Sequence, residues 1–149
     1  MYTKREIKQQ LRQMGILPTD TVLIHTSMKA IGQVEGGPNG LLDAFCEYLS
    51  EGLFLVPTHT WDDVTEENPY YDVRTDVPNI GLIPRTAAKR RDGVRSLHPT
   101  HSMWACGADA EAYVKVGRCL CADRGCHGLP PTAEQNLHPG NGGYLCPAY

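Results

Sequence analysis

The sequence has no run of ~18 apolar residues, so no segment reads as a membrane-spanning helix. It has no surplus of positive charge. Lys and Arg number 14 against 17 Asp and Glu, a net charge of −3, so there is no electrostatic reason to expect a nucleic-acid partner. A long acidic block is missing too. The opening segment, "MYTKREIKQQLRQMG", is charged and amphipathic rather than apolar, so no export signal is read there and the expected location is cytoplasmic. At 149 residues the chain is one domain's worth of sequence, enough to bury a core.

Six cysteines are present, and without an export signal they do not read as a disulfide framework. Cys46 and Cys106 stand alone in apolar surroundings, where a cysteine acts as a small hydrophobe. Cys119, Cys121, Cys126 and Cys146 all fall after Val116.

Before that point, strand and helix patterns alternate. "TKREIKQQLRQMG" carries Ile7, Leu11 and Met14 at helical spacing, Thr3 at its start and Gly15 where a C-cap belongs. "TVLIHTS" and "GLFLVPTHTW" read as buried strands, the second stopped by Pro57. "GLLDAFCEYLS" reads as a helix with Leu41, Leu42, Phe45 and Leu49 inward. "NIGLIPRTAAKRRDG" reads as a short helix with Lys89 and Arg90 in its last turn. "VRSLHPTHSMWACG" reads as a third strand broken by Pro99, and "ADAEAYVK" as a short helix. The pattern predicts an α/β fold with a mainly parallel sheet and flanking helices.

In open α/β sheets, ligands bind beyond the carboxyl ends of the strands. "HTSMKAIG", "PTHTWDD" and "HPTHS" bring His25, His59, His98, His101 and several hydroxyls toward one rim. After the first strand, "HTSMKAIGQVEGGPNG" has the order of parts of a phosphate-binding turn but matches no nucleotide motif. From local physics alone, such a stretch is more often an ordinary strand-to-helix connection than an anion site.

Four ordered segments, "LIHTSMKAIGQVEGGPNGLLDAF", "LVPTHTW", "NPYYDVRTDVPNIGLIP" and "GVRSLHPTHSMWACG", resemble the aminoglycoside N(3)-acetyltransferase family over roughly residues 4 to 115. The resemblance implies that family's own α/β fold, acetyl-CoA as co-substrate, and an aminoglycoside or another small amine as acceptor. It implies acetyl transfer to the 3-amino group of a deoxystreptamine antibiotic. Residue by residue, it puts Ser27, Met28, Lys29, Ala30, Ile31 and Gly32 against the coenzyme. Thr58, Thr60, Thr100, His101 and Ser102 are expected to complete the groove. A polycationic acceptor calls for carboxylates; Asp62, Asp63, Glu66 and Glu67 follow Trp61, where a solvated loop accounts for them equally well. No metal is expected.

Transfer requires a base for the ammonium proton and donors for the charge that develops on the carbonyl oxygen. In the family the base is a His supported by a carboxylate in the second half of a longer chain, and no such motif stands in this reading frame. His98 and His101 are the candidates here. Each also reads as a structural histidine of the His-Pro-Thr-His turn, His101 closing its Pro-x-His.

Residues 116–149 form an irregular tail in this reading, after an acetyltransferase part at 1–115. Shifted by one base, the codons of "QNLHPGNGG" are compatible with R-T-Y-I-Q-A-M-E-D, which resembles the family's missing helix. The expectation is a change of frame after about Lys115. Two rivals follow. One is a coenzyme A-binding chain without catalysis, whose uncovered sheet would lead to aggregation or a homodimer. The other is a zinc module through Cys119, Cys121, Cys126 and His127, with a spacing unlike a standard knuckle.

Overall fold

In a computed structural model, the structure describes residues 1–68 and 70–116 and the backbone of Tyr144 and Leu145. The element order is α1 (Lys4–Gln13), β1 (Thr21–Ile24), α2 (Met28–Ile31), α3 (Gly37–Tyr48), β2 (Leu53–Pro57), α4 (Leu82–Ala87), β3 (Val94–Arg95), β4 (Met103–Gly107), α5 (Ala110–Val116) and β5 (Tyr144–Leu145).

Helix α1 starts where the sequence predicts. Thr3 accepts from the Glu6 N–H while the Glu6 carboxylate accepts from the Thr3 N–H, a reciprocal capping box. Ile7 and Leu11 are buried, whereas Met14, expected on the same face, is exposed. Lys4 donates to Glu47 of α3 at 2.6 Å and Lys8 pairs with the same carboxylate, fastening α1 to α3. The glycines before α3 have backbone duties. Gly36 and Gly37 have φ of +75° and +59°, and a Cβ on Gly40 would stand 1.8 Å from the Glu35 carbonyl oxygen.

The sheet is mixed rather than mainly parallel. Its order is β3-β4-β2-β1-β5, with β1 parallel to β2 and β5, and β4 antiparallel to both β2 and β3. The segment read as one strand broken at Pro99 is two strands. Residues 96–102 reverse the chain, and β4 returns along β2 with Phe54 opposite Cys106. Tyr144 and Leu145 pair beside Leu23 and Ile24, within the segment expected to be irregular.

Side chains alternate across the sheet. Val22, Ile24, Phe54, Val56, Trp104 and Cys106 face α1, α3 and α4, while Leu23, Leu53, Leu55, Met103 and Ala105 face α5. Phe54 stacks on Phe45 at 4.8 Å and meets Trp104 edge-on at 6.2 Å. Helix α4 ends at Ala87, so Lys89 and Arg90 lie beyond it. Arg90 instead pairs with Asp43 of α3 at 2.7 Å and with Asp92.

Candidate functional site

Because β4 is antiparallel, its entry segment lies at the same rim as the exits of β1 and β2. That reversal gathers the three polar segments. His59 lies 4.8 Å from Trp61 and 4.9 Å from His101, ring to ring, and His101 lies 5.5 Å from His98.

Beyond β2 the pairing with the β4 entry continues. Thr58 N–H donates to the Ser102 carbonyl at 2.8 Å and Thr60 N–H to that of Thr100 at 3.0 Å. Thr58, Thr60 and Ser102 are fully buried. The Ser102 hydroxyl donates to the Thr58 carbonyl at 2.7 Å, so in the 2.9 Å contact between the two hydroxyls Thr58 is the donor. The Thr60 hydroxyl donates to the Pro99 carbonyl at 2.6 Å. These three side chains brace the rim from inside.

Arg95, absent from the sequence-based site, binds this brace. Its Nε donates to Ser102 Oγ at 3.0 Å and to Thr58 Oγ1 at 3.2 Å, Nη2 to the Thr58 carbonyl at 2.9 Å, and Nη1 to the Asp76 carbonyl at 2.6 Å. The guanidinium also lies over the Tyr71 ring at 5.6 Å. Burial moves its pKa down, against the pull of Tyr71 and Asp76. One charge thus ties 71–76 to β2 and β4. The available sequence signal was that Arg95 is the single Lys, Arg, Asp or Glu in residues 94–107.

His98 is buried, and its Nδ1 accepts the backbone N–H groups of His101 at 3.0 Å and Thr100 at 3.3 Å. The neutral ring therefore carries its proton on Nε2, and its basic lone pair is committed to the turn. Burial lowers the His98 pKa, and neighbouring His101 lowers it further. His101 is half-buried, with Nδ1 2.8 Å from the Thr100 hydroxyl.

The turn after β1 is exposed on one side. Ser27 caps α2, its Oγ accepting from the Ala30 N–H at 3.3 Å, which leaves the hydroxyl proton available to a ligand. Gly32 ends the turn at φ +89°, with open space where a Cβ would stand. Lys29 is exposed, and Met28 and Ile31 are half-buried. A cavity of about 390 Å³ opens here, walled by Thr26, Ser27, Ala30, His59 and Trp61 and closed by the Ile80–Pro84 segment. A second, of about 280 Å³, lies behind Ile31, between α1 and α3. The two share Ile24 and Thr26, and Thr26 Oγ1 is buried without a hydrogen-bond partner. A buried hydroxyl left unpaired costs free energy, which a polar ligand would relieve.

Asp62, Asp63 and Glu66 are exposed and flank Trp61 without lining the cavity. Thr58, Thr60, Thr100, His101 and Ser102 do not line the cavity either, although His101 lies against His59 and Trp61, which do. Among the described residues no cluster of His, Cys, Asp and Glu could hold a metal ion, and no helix is long and apolar enough to cross a membrane. The tail cysteines, His127 and the frame-shift segment lie outside the described residues.

A mixed sheet with a cavity at the carboxyl ends of β1 and β2 defines an α/β domain with a candidate ligand site at its rim. Its sequence places it further: the family model for aminoglycoside 3-N-acetyltransferase matches residues 23–126, past Lys115, and the chain belongs to that family. It is 32% identical over 128 residues to aminoglycoside N(3)-acetyltransferase VII of Streptomyces paromomycinus, covering 74% of this chain and 44% of that relative. The crystal structure of aminoglycoside acetyltransferase AAC(3)-Xa is 32% identical with a TM-score of 0.66, over 77% of this chain and 47% of that one. AAC-VIa bound to sisomicin is 28% identical with a TM-score of 0.65, over 76% and 48%. The chain spans about half the length of the relatives it matches.

Proposed function

We propose that this chain carries the acetyl-CoA-binding part of an aminoglycoside N(3)-acetyltransferase, in which an acetyl group passes to the 3-amino group of a deoxystreptamine antibiotic. The observation that carries the reading is the cavity beside the Ser27–Gly32 turn, with the unpartnered Thr26 hydroxyl in its wall. A relative of 28% identity binds sisomicin, which supports an aminoglycoside as the acceptor.

Acetyl-CoA, when bound, supplies an acetyl group activated as a thioester. The Ser27 hydroxyl donates to its polar groups, Lys29 adds positive charge, and the bare Gly32 backbone allows close approach. Met28, Ala30 and Ile31 give the turn its apolar contacts, on which the coenzyme's pantetheine arm would lie. His101 is the candidate to take the ammonium proton, with Thr100 holding Nδ1. His98 serves as a positioning residue, since its lone pair is spent on the turn. Thr58, Thr60 and Ser102 act the same way. Asp62, Asp63 and Glu66 attract the polycationic acceptor beside Trp61.

We assign residues 1–115 to the acetyltransferase part and 116–149 to a tail, of which Tyr144–Leu145 joins the sheet as β5. A second reading is that these residues bind coenzyme A without completing transfer, favoured by the commitment of the His98 lone pair to the turn. Mass spectrometry of an aminoglycoside panel incubated with acetyl-CoA and the purified chain, alongside calorimetric titration with coenzyme A, separates these. One added acetyl group supports transfer. Binding without acetylation supports the second reading, and no binding by folded protein refutes both.

A further inference from the structure

The cavity of about 280 Å³ behind Ile31 is a slot between two helices. Ile7, Leu11 and Met14 of α1 form one side, and Leu41 and Phe45 of α3 the other. Protein interiors are close-packed, so apolar helix faces ordinarily leave no such gap. Here α1 is held at both ends. At its start, the Tyr2 N–H donates to the Gln33 carbonyl at 2.7 Å, and the Tyr2 carbonyl accepts from the Glu35 N–H at 2.8 Å. Lys4 and Lys8 pair with Glu47, and beyond its end the Tyr48 hydroxyl donates to the Ile16 carbonyl at 2.6 Å. Met14 shares the spacing of Ile7 and Leu11 yet is 53% exposed, and Tyr2 is 43% exposed; both border the slot.

The slot is continuous with the cavity at the coenzyme turn. Ile24 and Thr26 wall both. Val56 and Ile83 of the first cavity and Leu11 and Phe45 of the second belong to one core cluster, so the two lie side by side on the same sheet face. From one to the other the wall changes character. Ser27 and His59 belong to the first, whereas the second is apolar or aromatic apart from Gln10 and Thr26. The unpartnered Thr26 hydroxyl stands at the change. A ligand that threads both is polar at one end, carries a hydrogen-bond acceptor in the middle and is apolar at the other end. A coenzyme thioester with an acyl chain longer than acetyl has that order of parts.

We propose that the slot is an acyl subsite, which takes the hydrocarbon chain of a medium-chain acyl thioester of coenzyme A. The pantetheine arm lies in the first cavity, and the Thr26 hydroxyl donates to a carbonyl oxygen of the bound arm where the cavities meet. The inference rests on the coenzyme reading given above. Size fits the assignment: an apolar cavity of ~150 Å³ holds a benzene ring, so about 280 Å³ has room for a chain of about six carbons.

Titration calorimetry of the purified chain with coenzyme A, acetyl-CoA and hexanoyl-CoA tests this. Each buried methylene is worth roughly fourfold in affinity, less the cost of ordering the chain, so hexanoyl-CoA should bind at least about tenfold more tightly than acetyl-CoA. Its heat capacity of binding should also be the more negative. Gln10 and Met14 are exposed positions of the slot wall. In Met14→Trp and Gln10→Trp, checked for folding by thermal melts, coenzyme A should bind as before and the advantage of hexanoyl-CoA should shrink below about threefold. Coenzyme A binding with hexanoyl-CoA no tighter than acetyl-CoA overturns the acyl subsite and leaves the coenzyme reading standing. An advantage that survives both substitutions also overturns it, because the chain then lies elsewhere. No binding of coenzyme A by the folded chain overturns both readings.

Discussion

The guanidinium of Arg95 lies 3.0 Å from the hydroxyl of Ser102, and the remaining hydrogen bonds of that guanidinium also go to neutral oxygens. A buried cation held by hydroxyls and carbonyls is costly to desolvate, and those acceptors are equally costly to leave bare. Arg95→Met should therefore lower unfolding stability by about 2–4 kcal/mol. Arg95→Lys should recover less than half of that, because one ammonium cannot span the Thr58 and Asp76 carbonyls together. Urea denaturation midpoints measure both; a change below about 0.5 kcal/mol in Arg95→Met would show that the brace contributes nothing.

His98 gives a pH dependence whose sign is fixed. Its folded pKa lies below that of the unfolded chain, so between the two the unfolded state binds more protons and stability rises with pH. Its contribution is present above the ordinary histidine value of 6.5 and is lost as pH falls through the lowered folded pKa. His98→Asn, whose Oδ1 can still accept the two N–H groups, should keep the turn and lose this dependence. Glu47, held at about 2 by Lys4 and Lys8, loses its contribution only below the ordinary glutamate value of 4.5. Thermal melts across this range compare the two proteins.

Gly40 approaches the Glu35 carbonyl too closely for any side chain. Gly40→Ala is expected to destabilise the chain by more than about 2 kcal/mol, since the contact is with backbone and cannot rotate away. Gly32→Ala meets no neighbour but must hold φ +89°, a strain of about 1–3 kcal/mol. Chemical denaturation ranks them.

Thr26→Val removes the buried hydroxyl that lacks a partner. Stability should hold or rise by up to about 1 kcal/mol. Coenzyme A affinity should fall by about tenfold if that hydroxyl meets the ligand, the worth of one hydrogen bond. Titration calorimetry reads the affinity, and unchanged binding would remove Thr26 from the site.

Asp62, Asp63 and Glu66 are exposed, so their amide variants should leave the melting temperature unchanged. Aminoglycoside affinity should weaken in the triple variant and lose much of its salt dependence. Equal salt slopes in both proteins would assign these acids to solvent.

The sequence by itself determined the local elements and the family. Thr3 and Glu6 announce the start of α1, the apolar spacing of Leu41, Leu42, Phe45 and Leu49 announces α3, and four ordered segments carry the resemblance. These signals are local, because caps and periodicity are properties of neighbouring residues. The tertiary structure alone decided the direction of β4. Alternation with period two reads the same in either direction, and only pairing with β2 shows that the chain reverses between Ser96 and Ser102. That reversal buries Thr58 and Ser102 against Arg95 and turns Nδ1 of His98 onto the backbone of His101. Residues that looked alike as rim hydroxyls and histidines thus divide into braces and cavity wall, because partners across 37 or 44 positions are chosen by packing rather than by sequence spacing.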